Sequence, residues 1–122
     1  MDRKILEKRL ITYSSSVIAL CRKCEFDSYT QHLGKQIVRS GSSAALNYGE
    51  AQSAESRADF VHKLSIVLKE LRETYINLSL IQQSGICKDQ ESLYGLLVEN
   101  NELISIFQKS INTLQNGARK VE

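Results

Sequence analysis

Apolar residues return at alternating steps of four and three along nearly the whole chain. Leu6, Leu10, Tyr13, Val17, Leu20 and Cys24 form one such series. Phe60, Leu64, Val67, Leu71, Thr74, Leu78 and Ile81 form another, and Leu93, Leu97, Asn100, Ile104, Phe107, Ile111 and Leu114 a later one. Between the first two, Leu33, Ile37, Ser40, Ala44, Asn47 and Ala51 keep the same rhythm with smaller side chains. This spacing holds each series on one side of a helix, and no two-residue alternation competes with it.

Local signals place the ends. Asp27-Ser28 offers a cap before the second series, and Ser56 with Asp59 three residues on has the reciprocal capping pattern for the third. Asp89 can cap the fourth helix, and Gly85 and Gly117 stand where left-handed stop residues are wanted. The spacing predicts helices over about 3–25, 29–52, 57–84 and 90–116. There is no proline to interrupt them. Linkers this short turn successive helices antiparallel, so the expected fold is all-α: one domain, 1–122, forming an up-down-up-down four-helix bundle.

The apolar surface exceeds what one stripe per helix requires. Ile11 and Ile18 lie off the main series of the first helix. Val61, Leu68 and Tyr75 flank that of the third, and Leu96, Leu103 and Ile106 that of the fourth. Flanking stripes on three helices predict surface that another copy of the chain covers; a wide stripe enclosed in one core is the alternative.

The segment RSGSSAALNYGEA, residues 39–51, departs from the Leu/Ile-rich norm. Arg39, Ser43, Asn47 and Glu50 step by four, four and three and line one polar track beside Gly41, Ala44, Ala45 and Ala51. Small residues let a neighbouring helix approach closely, and polar groups there need partners. Lys69 and Arg72 on the third helix, and Arg39 itself, are the expected ones. A network fixing helix register is the favoured reading, a ligand or metal site the other.

The run from His32 to Glu73 resembles the core of the four-helix-bundle proteins encoded in intervening sequences of bacterial large-subunit ribosomal RNA genes. The matching elements are Arg39-Ser40, Asn47 and Glu50 in N-x-x-E, Asp59-Phe60, and Lys69-Glu70-Leu71-Arg72-Glu73. Gly41 and Gly49 inside the second helix are less typical. The resemblance implies a ring-shaped homo-oligomer, a pentamer, and kinship with the accessory protein of diversity-generating retroelements, which is thought to bind nucleic acid and a reverse transcriptase. It implies no catalysed reaction.

Composition narrows the remaining chemistry. Sixteen Lys/Arg against fourteen Asp/Glu give a net charge of +2, too little for a dedicated single-subunit DNA binder. Arg3, Lys4, Lys8 and Arg9 at one terminus and Arg119 and Lys120 at the other fall at the same end of an antiparallel bundle. Ring symmetry multiplies them into a basic surface for phosphate backbones. Asp59-x-x-His62 is half of a di-iron element without its second half, so no metal or cofactor is expected. Cys21 and Cys24 have redox spacing but neither a four-ligand set nor a βαβ setting, and read as small apolar fillers; with Cys87 they read as reduced thiols. Ser14-Ser15-Ser16 has no nearby base. A charged N-terminus without a signal-peptide core, and no membrane-length apolar run, predict a cytoplasmic chain with no membrane contact. The expected function is a non-enzymatic oligomeric module binding RNA or DNA. The alternative is a structural scaffold recruiting a protein partner without nucleic-acid contact.

Overall fold

A computed structural model describes residues 2–121, with side chains through Gly117, as four helices. They are α1 (Arg3–Lys23), α2 (Gln31–Ala51), α3 (Arg57–Ser84) and α4 (Gln90–Val121). Each packs on the next in sequence and α4 returns to α1, so the helices stand at the corners of a square. The fold is all-α and up-down. The α2–α3 pairing is the most extensive and the α1–α4 seam the thinnest.

The capping signals act largely as expected. Asp2, a cap the sequence reading did not name, accepts from the Lys4 amide at 2.9 Å and opens α1. Ser56 accepts from the Asp59 amide at 3.0 Å, while the Asp59 carboxylate accepts from the amide of Glu55 rather than that of Ser56. Gly85 ends α3 with φ +68, a conformation that side chains rarely tolerate. Asp89 accepts from the Ser92 amide at 3.1 Å and from its hydroxyl at 2.7 Å, starting α4.

Three boundaries differ from the sequence reading. Helix α1 stops at Lys23 because Cys24 turns extended and forms an isolated antiparallel bridge with Cys87. Helix α2 begins at Gln31: Asp27 caps a preceding turn, accepting from the amides of Tyr29 and Thr30. Gly117 is no stop, since α4 continues to Val121.

The core takes Leu6, Leu10, Tyr13, Val17 and Leu20 from α1 and Leu64, Val67, Leu71, Leu78 and Ile81 from α3 as the spacing predicted. On α4 the buried line runs through Leu93, Leu96, Asn100, Leu103, Phe107 and Ile111. Leu96, Leu103 and Leu68, expected on flanking surface, are therefore core residues, and Val61, Tyr75 and Ile106 are half-buried. The expectation of a free flank holds on α1, where Ile11 is 54% and Ile18 36% exposed. On α2, Gly41 meets Val17: a Cβ there would lie 3.3 Å from the valine methyl, so the missing side chain is what lets α1 approach.

Candidate interaction surfaces

The bundle's polar core is a layer that crosses all four helices near their middles. Tyr13 of α1 donates its hydroxyl to Asn100 Oδ1 of α4, and Asn100 Nδ2 donates to the Leu71 carbonyl of α3 at 2.9 Å. Thr74 Oγ1 is hydrogen-bonded to Ser40 Oγ of α2 at 2.8 Å and donates to the Glu70 carbonyl at 2.7 Å. Ser14 donates to the Gly41 carbonyl at 2.8 Å. Among the described residues no buried side-chain N or O lacks a partner. Burial drives the Tyr13 phenol well above its usual range, so it stays protonated and donating. The sequence hid this layer by placing Tyr13, Thr74 and Asn100 at stripe positions, and a Tyr and an Asn on facing apolar series were its only outward sign.

The polar track of α2 is divided among separate partners. Arg39 reaches α3, donating to Glu70 at 3.1 Å and to Glu73, and these carboxylates hold its guanidinium firmly charged. Asn47 stays within its helix, donating to the Ser43 carbonyl at 2.8 Å and hydroxyl at 2.9 Å. Glu50 accepts from Lys63 of α3 at 3.1 Å. Arg72 turns instead to Gln108 of α4 at 3.0 Å, and Lys69 is exposed. The track thus ties α2 to α3 at both ends, on the outside of the packing, and the buried asparagine is Asn100.

The basic candidates also separate. Arg9 grips Glu99 with two nitrogens, at 2.8 and 2.6 Å, and Glu102 at 2.6 Å; its charge is spent on the α1–α4 seam. Arg3, Lys4 and Lys8 are exposed and have no ion-pair partner among the described residues. The side chains of Arg119 and Lys120 lie outside the described residues. Their backbone belongs to α4, which ends beyond the level of α1: with Arg9 beside Glu99 and Glu102, Arg119 stands roughly 15–20 Å past the first turn of α1 at 1.5 Å per residue. The two basic groups share an end of the bundle but not a height.

On α1, Lys8 and Arg22 fall on one outward side with Lys4, next to Ile11 and Ile18. Across the α1–α2 face, Ile18, Phe26 and Val38 line a shallow apolar groove rimmed by Arg22, Lys35 and Arg39. On the opposite side of the square, Ile76 and Leu80 of α3 and Tyr94 and Val98 of α4 are exposed. Asp59 is taken up by the cap and His62 is exposed. Among the described residues no group of three or more His, Cys, Asp or Glu side chains is placed to hold a metal ion. None of the described helices is long and apolar enough to cross a membrane.

Comparison with known proteins places these surfaces in a wider setting. The family described as 23S rRNA-intervening sequence protein matches residues 5–109. Among solved structures, the chain is similar to a protein with unknown function from the S23 ribosomal protein family of Bacteroides thetaiotaomicron. The two share 26% identity with a TM-score of 0.78, over 92% of this chain and 99% of the other. Among curated proteins, none matches.

Proposed function

Since this chain belongs to the 23S rRNA-intervening sequence protein family, we propose that it is a non-enzymatic subunit of a ring-shaped homo-oligomer, a pentamer, that binds RNA or DNA. The observation that carries this reading is the outward side of α1. Lys4, Lys8 and Arg22 stand exposed there, without ion-pair partners among the described residues, while nearby Arg9 and Lys23 are neutralised by acids. One subunit offers too few such cations for useful affinity, but a ring repeats them.

Closed rings need two different complementary surfaces per subunit. Ile11 and Ile18, beside half-buried Val38, on the α1–α2 side, and Ile76, Tyr94 and Val98 on the α3–α4 side, supply apolar surface on opposite faces of the square. That arrangement supports head-to-tail assembly.

A salt titration tests the nucleic-acid reading. Affinity for duplex DNA is expected to fall steeply with salt, each phosphate-neutralising cation adding about −0.9 to the slope of log K against log salt. The Lys4→Glu/Lys8→Glu double variant is expected to flatten that slope by about 2 per engaged subunit. The same measurement is repeated with generic RNA. No binding to either at low salt, or binding indifferent to salt, overturns this reading. It favours the scaffold alternative, for which the apolar groove of Ile18, Phe26 and Val38 speaks.

A further inference from the structure

Three thiols that the sequence scatters meet at one corner of the bundle. Cys24 is the extended residue that ends α1, and Cys87 lies in the turn between α3 and α4; they face each other across an isolated antiparallel bridge. The Glu25 amide donates to the Ile86 carbonyl at 3.0 Å, which makes Cys24 and Cys87 the pair without mutual backbone hydrogen bonds. Opposed residues of that kind have Cα atoms about 4.5 Å apart. Disulfides span about 4.4–6.8 Å. Two ion pairs pin the same junction, Lys23 with Asp89 at 2.9 Å and Lys88 with Glu25 at 3.1 Å. The two chain segments are thus held in the register that a cross-link needs. Cys21, one turn back on α1, completes the cluster, and all three thiols are free.

We propose that Cys24 and Cys87 form a reversible dithiol–disulfide couple that latches the end of α1 to the α3–α4 turn, oxidised by a low-molecular-weight disulfide. Cys24 is half-buried and reachable, whereas Cys87 is buried, which sets the order of events. The Cys24 thiol loses its proton to solvent, and its sulfur attacks the small disulfide, breaking that S–S bond and expelling one small thiolate. Cys87 then loses its proton and attacks the Cys24 sulfur, closing the protein disulfide and releasing the second small thiolate. Two electrons pass from the protein to the small disulfide, whose two halves take up the two protons. A small dithiol reverses it.

Burial, and next the neighbouring Cys87, push the Cys24 thiol up to about 12, and burial pushes Cys21 to about 11. Thiols held protonated in this way exchange slowly, so the latch responds to sustained rather than brief oxidation. Of the charged groups around the junction, Lys23 pairs with Asp89 and Lys88 with Glu25, while Arg22 stands exposed without an ion-pair partner among the described residues.

The test uses the full chain incubated in defined mixtures of oxidised and reduced glutathione. Trypsin cuts after Arg9, Arg22, Lys23, Lys35, Arg72 and Lys88, so the three cysteines fall on three different peptides. Non-reducing mass spectrometry should find the peptide 24–35 joined to the peptide 73–88, within a monomeric chain lighter by two hydrogens. The melting temperature should rise by about 10 °C, as expected for closing a long loop. Cys21→Ser should cross-link like the parent, and Cys87→Ser should stop at a glutathione adduct on Cys24. A Cys21–Cys24 cross-link, a stable glutathione adduct in the parent, only intermolecular bonds, or no reaction in strongly oxidising mixtures each overturns the proposal.

Discussion

Asn100 occupies the stripe of α4 where a leucine would fit, fully buried, with both ends of its amide employed: Oδ1 takes the Tyr13 hydroxyl and Nδ2 serves the Leu71 carbonyl. A buried polar atom stripped of its partner costs more than the bond contributes, because its desolvation is left uncompensated. Asn100→Ala is therefore expected to lower stability by about 2–3 kcal/mol. Its exposed neighbour serves as control, Asn101→Ala changing stability by no more than about 0.5 kcal/mol. Urea unfolding of both variants checks this, and equal midpoints would deny the layer its role. Residue identity was legible here and environment was not. Asn47 attracted attention because it sat among small residues, yet it bonds within its own helix. What decides which asparagine is buried is the rotation of each helix about its axis, and that is set by neighbours.

Local signals announced several helix ends, Asp27 excepted, which caps a turn ahead of α2. Ser56, Gly85 and Asp89 all act within three residues of themselves, and all three act as their spacing foretold. The end of α1 depends on Cys87, far along the sequence, so no local pattern carried it. Gly117 shows the converse: it has the right residue type, but α4 continues through it. Asp89 also gives an acid signature. The Ser92 hydroxyl first, then Lys23, hold its carboxyl down to about 2. A folded-state value below the unfolded one means stabilisation that is complete above the ordinary carboxylate range and drains away as pH falls toward 2. Melting temperatures recorded from pH 5 to pH 2 should fall more steeply for the parent than for Asp89→Asn, which keeps a cap but cannot titrate. Parallel curves would show that the cap's charge contributes nothing.

At the scale of the molecule, counting apolar stripes overstated the free surface. Leu68 on α3 belongs to the core, and so do Leu96 and Leu103, because the buried arc of α4 runs through Asn100 and Phe107 with Leu96 and Leu103 inside it and Leu97 and Ile104 half-buried at its margin. Ile11 and Ile18 remain outside, seven residues apart on one side of α1. The Ile11→Glu/Ile18→Glu variant should keep its helical circular dichroism, since neither residue supports the core, and should scatter light as a monomer where the parent scatters as an oligomer. A parent that is itself monomeric at micromolar concentration would refute the assembly. For the basic residues, the chain disclosed their end of the bundle but not their pairings. That Arg9 is consumed by Glu99 and Glu102 follows from a pairing across some ninety positions, which no window along the chain contains.

The thin seam between α1 and α4 has a consequence for motion. Besides the buried Tyr13–Asn100 bond and the apolar side chains about it, side-chain ion pairs near the surface close it, Arg9 at one level and Lys23 at another, whereas α2 and α3 share the broadest pairing. Slow opening fluctuations should thus begin with α1 swinging away from α4, while the α2–α3 hairpin remains as the last protected unit. The helix that carries the exposed Lys4, Lys8 and Arg22 is also one of the two whose mutual contact is thinnest.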